Sequence, residues 1–156
     1  MIITKVINFN SMREFKNKKA EKNFHIIKTF EAGLSLTGNE IKSIRAGKIN
    51  FIDSYATIKD GEAWLHSLHI SHYDKGFYQE YNPRRSRKLL LHKHQIKRLL
   101  RKVKEKSYTL IPVRLYINED GYAKIELALA KGKKKYEKRF KIKKREDQKR
   151  MDRYSR

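Results

Sequence analysis

The spacing of apolar residues changes period several times along the chain, and each change marks a different element. Residues 24–30, FHIIKTF, have the β-branched and aromatic content of a strand, and 31–36 carry it toward a helix start. Thr37 followed by Glu40 makes a capping-box pair, in which each side chain satisfies the other residue's backbone N–H. Ile41 and Ile44 give this short helix one apolar stripe, Gly47 would end it, and Lys42, Arg45 and Lys48 are left outside the stripe. Two strand-like runs follow, 51–59 and 62–70. Between them Asp60-Gly61 favours the positive φ angles of a tight hairpin turn.

Residues 71–88 lose periodicity. They mix Tyr73, Phe77, Tyr78 and Tyr81 with Arg84, Arg85, Arg87 and Lys88 around Pro83, which predicts a long irregular loop. Within 89–106, Ile96, Leu99, Leu100 and Val103 recur at i, i+3, i+4 and i+7, the stripe of a second helix. Its other face carries Lys93, Lys97, Arg98, Arg101, Lys102 and Lys104. A second hairpin spans 108–117 and 123–130 around Glu119-Asp120-Gly121, with Ile125, Leu127 and Leu129 alternating. Short strands with two helices in this order predict a mainly β fold with flanking helices, an OB-like small β-barrel.

Composition adds a partner and a boundary. At 156 residues and 38% hydrophobic content, the chain can build one modest core. The expected division is an N-terminal leader, 1–15, an RNA-binding domain, 16–130, and a basic C-terminal tail, 131–156. Its 39 Lys and Arg against 17 Asp and Glu leave a formal charge of +22, which calls for a large polyanion, nucleic acid first. The tail alone holds 14 Lys and Arg against 4 acids, a net +10. Tyr136, Phe140, Ile142, Met151 and Tyr154 supply too little apolar surface to offset the entropy of ordering it, so it is expected to be disordered until bound. No apolar run approaches the roughly 20 residues of a spanning helix, and the start lacks the order of an export signal. No membrane role is expected. The lack of cysteine excludes disulfides and thiolate metal sites and fits a cytoplasmic protein.

Catalysis finds little support. His66, His69 and His72 have no carboxylate cluster, and the strand period puts the first two on opposite faces. His92 and His94, two apart at a helix start, are not expected to share a face. Lys131-Gly132-Lys133-Lys134 lacks the strand–loop–helix setting of a phosphate loop. No cofactor or metal is expected. Trp64, alone of its kind, is assigned to packing, whereas Tyr beside Arg in 71–88 suits stacking on unpaired bases.

Seven blocks in order resemble the small protein B family, the SsrA-binding proteins of bacterial trans-translation. They are Asn17-Lys18-Lys19-Ala20, Phe30-Glu31-Ala32-Gly33, the run from Gly38 to Lys48, Asp53-Ser54-Tyr55, the run from Gly61 to Leu65, the run from Arg87 to Lys93, and the run from Leu129 to Lys134. The resemblance implies an OB-like barrel that holds the tRNA-like domain of transfer-messenger RNA (tmRNA) and stands in for a missing anticodon arm. By the family pattern, Asn17, Lys18, Glu31 and Leu91 meet the RNA elbow. Arg45, Lys48 and His92 nearby, with Lys131, Lys133 and Lys134, complete the expected RNA-binding set.

The family's tail enters the empty mRNA channel of a stalled ribosome and becomes helical there. This assigns Tyr136, Glu137, Lys138, Arg139, Lys143, Lys144 and Arg145 to the ribosomal decoding centre and channel. Glu137 stands where the family usually has Asp, and Phe140 replaces a polar residue. Elongation factor Tu and alanyl-tRNA synthetase are implied as partners through tmRNA. Composition by itself equally supports a ribosomal or general RNA-binding OB protein, and an RNA-processing enzyme using His92 or His94 is the remaining rival.

Overall fold

The computed structural model describes residues 13–74 and 80–154, so Phe77, Tyr78 and leader residues 1–12 lie outside the described residues. Among those described, nine strands and four helices follow in the order β1 (Glu14–Lys16), α1 (Lys18–Asn23), β2 (Phe24–Leu34), α2 (Gly38–Arg45), β3 (Ile49–Asn50), β4 (Tyr55–Lys59), β5 (Glu62–His66), β6 (His69–Ile70), β7 (Arg87–Leu90), α3 (Lys93–Lys106), β8 (Thr109–Ile117), β9 (Ala123–Gly132) and α4 (Lys135–Tyr154). All pairings are antiparallel. From β8 they run through β4, β5, β7, β2 and β9 and return to β8, while β1 adds to β8 and β3 pairs separately with β6.

Alternation along these strands decides what is inside. Ala32 and Leu34, Ala63 and Leu65, Leu89, Leu115, Ile125, Leu127 and Leu129 form one buried cluster, which Ile44 of α2 and Leu99 of α3 join. A second, smaller cluster lies outside the ring. There Ala20 of α1 packs on Ile111, Ala128 and Ala130. The short α1 was not legible, because its sequence KKAEKN offers one apolar residue and no periodic stripe.

The expected hairpins form. Lys59 pairs with Glu62 across Asp60 and Gly61, whose φ angles of 52° and 74° belong to a tight turn of the primed type. Both expected strands are shorter than the apolar runs, since Asp53 and Ser67 also take positive φ (62° and 59°) and hand their neighbours to β3 and β6. The capping box is present, with Glu40 N–H donating to Thr37 Oγ1 (3.3 Å) and Thr37 N–H to Glu40 Oε2 (2.9 Å). At the other end of α2, the N–H of Gly47 bonds Ile44 O and that of Lys48 bonds Ser43 O, with Gly47 at φ 77°. The sheet reaches Glu14 at one end and Gly132 at the other, beyond the limits 16 and 130 read from composition.

The stretch 80–88 is not irregular loop throughout, and of its cations Arg84 is exposed, Arg85 and Lys88 are half-buried and Arg87 is hidden. Arg87 and Lys88 belong to β7, and Arg87 is fully buried. Its Nε donates to Glu40 Oε1 (2.9 Å), Nη1 to Leu68 O (2.6 Å) and Nη2 to Pro83 O (3.1 Å). Arg85 adds Nε to Glu40 Oε1 (2.8 Å) and Nη2 to Oε2 (2.6 Å), and Tyr81 Oη donates to Ile70 O (2.8 Å). Tyr81, with Arg85 and Arg87 beside it, is therefore engaged inside the protein, which corrects the stacking role suggested for the tyrosines of 71–88 at this one position. The two arginines clamp the segment onto α2. A charge buried this deeply is tolerated only when paired and fully hydrogen-bonded, and Arg87 meets that condition.

In the tail, Lys135–Tyr154 is helical. Lys, Arg, Glu and Gln are good helix formers, so propensity over 20 residues favours the helix where apolar packing does not. Its described side chains are all exposed, Phe140 at 70% and Tyr154 at 87%.

Burial raises the Glu40 carboxyl pKa, but the hydrogen bonds from Arg85 and the Thr37 N–H, with the charge of Arg87, outweigh it and hold the group below the ordinary carboxylate range. Its stabilisation is complete above that range and is lost as pH falls through the depressed value. Glu40→Ala, which strands buried Arg87, is expected to lower the unfolding free energy by about 3–5 kcal/mol. Urea denaturation at neutral and acid pH checks this, with the gap between wild type and variant narrowing in acid.

Candidate nucleic-acid interface

Over the last five residues of β2 the outward positions are Glu31 and Gly33, because Phe30, Ala32 and Leu34 face the core. Glu31 is exposed and accepts a hydrogen bond from the hydroxyl of Tyr116 on β8. Burial and that carboxylate together push the Tyr116 hydroxyl up to about 12, so it stays a donor at neutral pH. Beside Glu31, Glu126 of β9 pairs with Arg114 Nε of β8 at 2.9 Å. Only Glu31 of these two acids lacks a cationic partner among the described residues.

Asn17 lies between β1 and α1, against β8. Its N–H donates to Val113 O (2.7 Å) and its side-chain Nδ2 to Pro112 O (2.8 Å), at the irregularity in β8 between Pro112 and Arg114. The side-chain oxygen of Asn17 has no hydrogen bond among the described residues and remains an acceptor. Lys18 follows, exposed.

Leu91 is not the exposed leucine of its run. It is half-buried against the core, while Leu90 is 56% exposed and pairs with Gly33. A Cβ on Gly33 would stand 3.2 Å from Leu90 Cβ, so the glycine lets the leucine lie flat over β2, two residues from Glu31. Strand alternation across Arg87–Leu90 would have identified Leu90 had β7 been recognised. Leu90, Leu91 and His92 line one depression of about 380 Å³ with Lys88 and Glu62.

The other expected residues scatter. Arg45 is exposed at the end of α2, its guanidinium beside Gly121 of the β8–β9 turn. Lys48 is ion-paired with Asp74, whose pKa the hydrogen bond from that ammonium lowers. His92 is exposed, its N–H donating to Gln95 Oε1 (3.0 Å), and its ring stacks on His94 at 5.5 Å. The two histidines do meet, because His92 precedes the helix in extended backbone and helical spacing does not apply to it.

Lys131 and Lys134 are exposed, but Lys133 is 7% exposed, with its ammonium on Glu21 O and its N–H on Asn23 O. Lys133 thus ties the end of β9 to α1 and leaves the surface set. In α4, Arg139, Lys143, Lys144 and Arg145 are exposed, while the side chains of Tyr136, Glu137 and Lys138 lie outside the described residues. No group of three or more potential metal ligands occurs among the described residues. No helix described is long and apolar enough to cross a membrane.

A run of antiparallel strands with short flanking helices and a formal charge of +22 defines a small, strongly cationic, mainly β protein. The chain belongs to the SmpB protein family, whose profile matches residues 14–156. It is 52% identical over 134 residues to the SsrA-binding protein of Thermus thermophilus, covering 86% of this chain and 90% of that one. With the SsrA-binding protein of Geobacillus kaustophilus it shares 51% identity over 138 residues, 88% of each chain. A solved structure described as "tmRNA-SmpB: a journey to the center of the bacterial ribosome" superposes with a TM-score of 0.67 at 51% identity, covering 78% of this chain and 85% of that chain.

The burial difference within the Lys131–Lys134 run has a measurable consequence. Lys133→Met is expected to lower the unfolding free energy by about 1–3 kcal/mol, as it leaves the Glu21 carbonyl short of its donor. Lys131→Met should change stability by less than about 0.5 kcal/mol. Paired urea melts compare them.

Proposed function

We propose that this protein binds the tRNA-like domain of tmRNA and brings it to ribosomes stalled on incomplete messages, in the cytoplasm. The observation that carries this reading is the match to the SmpB family over most of the chain, and it is supported by the exposed Glu31, Leu90 and Lys18 and the Asn17 amide on that body. An exposed carboxylate on a +22 protein weakens attraction to phosphate, so it serves selection instead. It accepts hydrogen bonds from base amino groups or a ribose 2′-OH, as the side-chain oxygen of Asn17 also does. Leu90 gives an apolar contact for a base. Lys18, Arg45, Lys131 and Lys134 supply salt-dependent affinity without sequence preference.

The ring of strands is read as an OB-like barrel, with the body standing where tRNA has its anticodon arm. In this reading α4 is the ribosome-sensing part. Its Arg139, Lys143, Lys144 and Arg145 pair with ribosomal RNA phosphates in an empty mRNA channel, and Tyr136, Glu137 and Lys138 enter the decoding centre. A channel filled with mRNA excludes the helix. Elongation factor Tu and alanyl-tRNA synthetase are reached through the RNA, and neither a cofactor nor a catalytic step is needed.

Ending the chain after Lys134 preserves β9 and the Lys133 tie to α1. The shortened protein is expected to bind the tRNA-like domain within about threefold of the full chain and to support no peptide tagging on stalled ribosomes. Filter binding and an in vitro tagging assay measure the two activities, and loss of both together would sink the division of labour. Equal affinity for tmRNA and for bulk tRNA at physiological salt would instead favour a general RNA-binding protein.

A further inference from the structure

Trp64 was expected in the core, but it is half-buried on the outer face of β5, because Ala63 and Leu65 take the inward positions. Tyr55 and Thr57 of β4, Trp64 and His66 of β5, and Lys88 of β7 share that face, with Tyr55 opposite His66 and Trp64 between Thr57 and Lys88. The His66 ring is held on both sides, its Nε2 2.7 Å from Thr57 Oγ1 and its Nδ1 2.8 Å from Ser86 Oγ. With both nitrogens engaged, it is poorly placed to be a base or a metal ligand. What it presents is a fixed aromatic plane, 5.1 Å from the ring of Tyr55, which is 44% exposed. The indole N–H of Trp64 has no hydrogen bond among the described residues.

We propose that this outer face of β4, β5 and β7 is a second RNA contact, a stacking surface on which Trp64 and the Tyr55–His66 pair receive unpaired nucleotides of the bound tmRNA. The inference rests on the tmRNA reading above and extends its footprint. Continuity supports it. Lys88 and Leu90 are successive outward residues of β7, and Leu90 lies over Gly33, so the aromatic strip joins the Glu31 patch across two strand spacings, about 10 Å. Charge supports RNA over an apolar partner, because the protein as a whole is strongly cationic, while Lys88 at the edge of the rings is ion-paired with Glu62 (2.5 Å) and adds no free charge of its own. Rings fixed before binding cost little entropy on contact, and only unpaired bases offer free faces to them.

Trp64 is the single tryptophan of the chain, which makes it its own reporter. The full chain is titrated with the tRNA-like domain of tmRNA while indole emission and the anisotropy of labelled RNA are followed together. Emission is expected to be quenched along the same saturation curve as anisotropy. Trp64→Ala and Tyr55→Ala should each weaken binding on the order of tenfold, and Trp64→Phe should recover most of the loss. Saturable anisotropy with unchanged emission, or wild-type affinity in both alanine variants, would overturn the stacking surface and leave the tmRNA reading standing. Absence of saturable binding by the wild type would overturn both.

Discussion

Glu40 and Arg87 are sealed from solvent side by side, and the carboxylate is tolerable there because four hydrogen bonds, from Thr37, Arg85 and Arg87, converge on it. One side chain thereby performs two tasks. It caps the first turn of α2, and it clamps the segment leading into β7. The position of β7 follows from that clamp, since Arg87 is its first residue and Leu90 its last. With β7 fixed between β5 and β2, Leu90 falls over Gly33 and Lys88 falls beside Trp64. The interaction is internal and touches no ligand, but the outer surface is arranged by it.

On the proposed reading, that surface separates affinity from selection. Cations are scattered over α1, α2, α3 and α4, and the attraction they give a polyanion is long-ranged and indifferent to sequence. Glu31, the Asn17 amide and Leu90 are few, short-ranged and geometrically fixed, through Tyr116, the β8 irregularity and Gly33 respectively. On that reading, discrimination between RNAs belongs with such groups, because hydrogen bonds and apolar contacts distinguish base edges and ribose where lysines do not.

Local chemistry was legible in the sequence wherever it acts over a few residues. The Thr37–Glu40 box, the Asp60-Gly61 turn, the α3 stripe and the last hairpin all form as their patterns imply. Legibility ended where a residue's role depends on a distant partner. Nothing within 80–88 tells that Arg87 meets a carboxylate 47 positions earlier, so the segment looked like a basic loop. With β7 unrecognised, its alternation was lost and the exposure of Leu90 beside Leu91 went unseen. Lys133 looked like a surface lysine until α1, itself too polar to be noticed, supplied the Glu21 carbonyl. Trp64, as the lone tryptophan of a hairpin, reads as a packing residue, although alternation with Ala63 and Leu65 already points it outward. In the tail, the lack of apolar packing argues against order while the helix propensity of its Lys, Arg, Glu and Gln argues for α4, so composition by itself points both ways.

Hydrogen exchange of the full chain, with and without the tRNA-like domain of tmRNA, bears most directly on the claim that the folded body selects the RNA while the terminal helix awaits the ribosome. Added protection should concentrate in β2, β7 and the start of α1, and α4 should exchange as fast as in the free protein. Protection confined to α4, with β2 and β7 unchanged, would refute it.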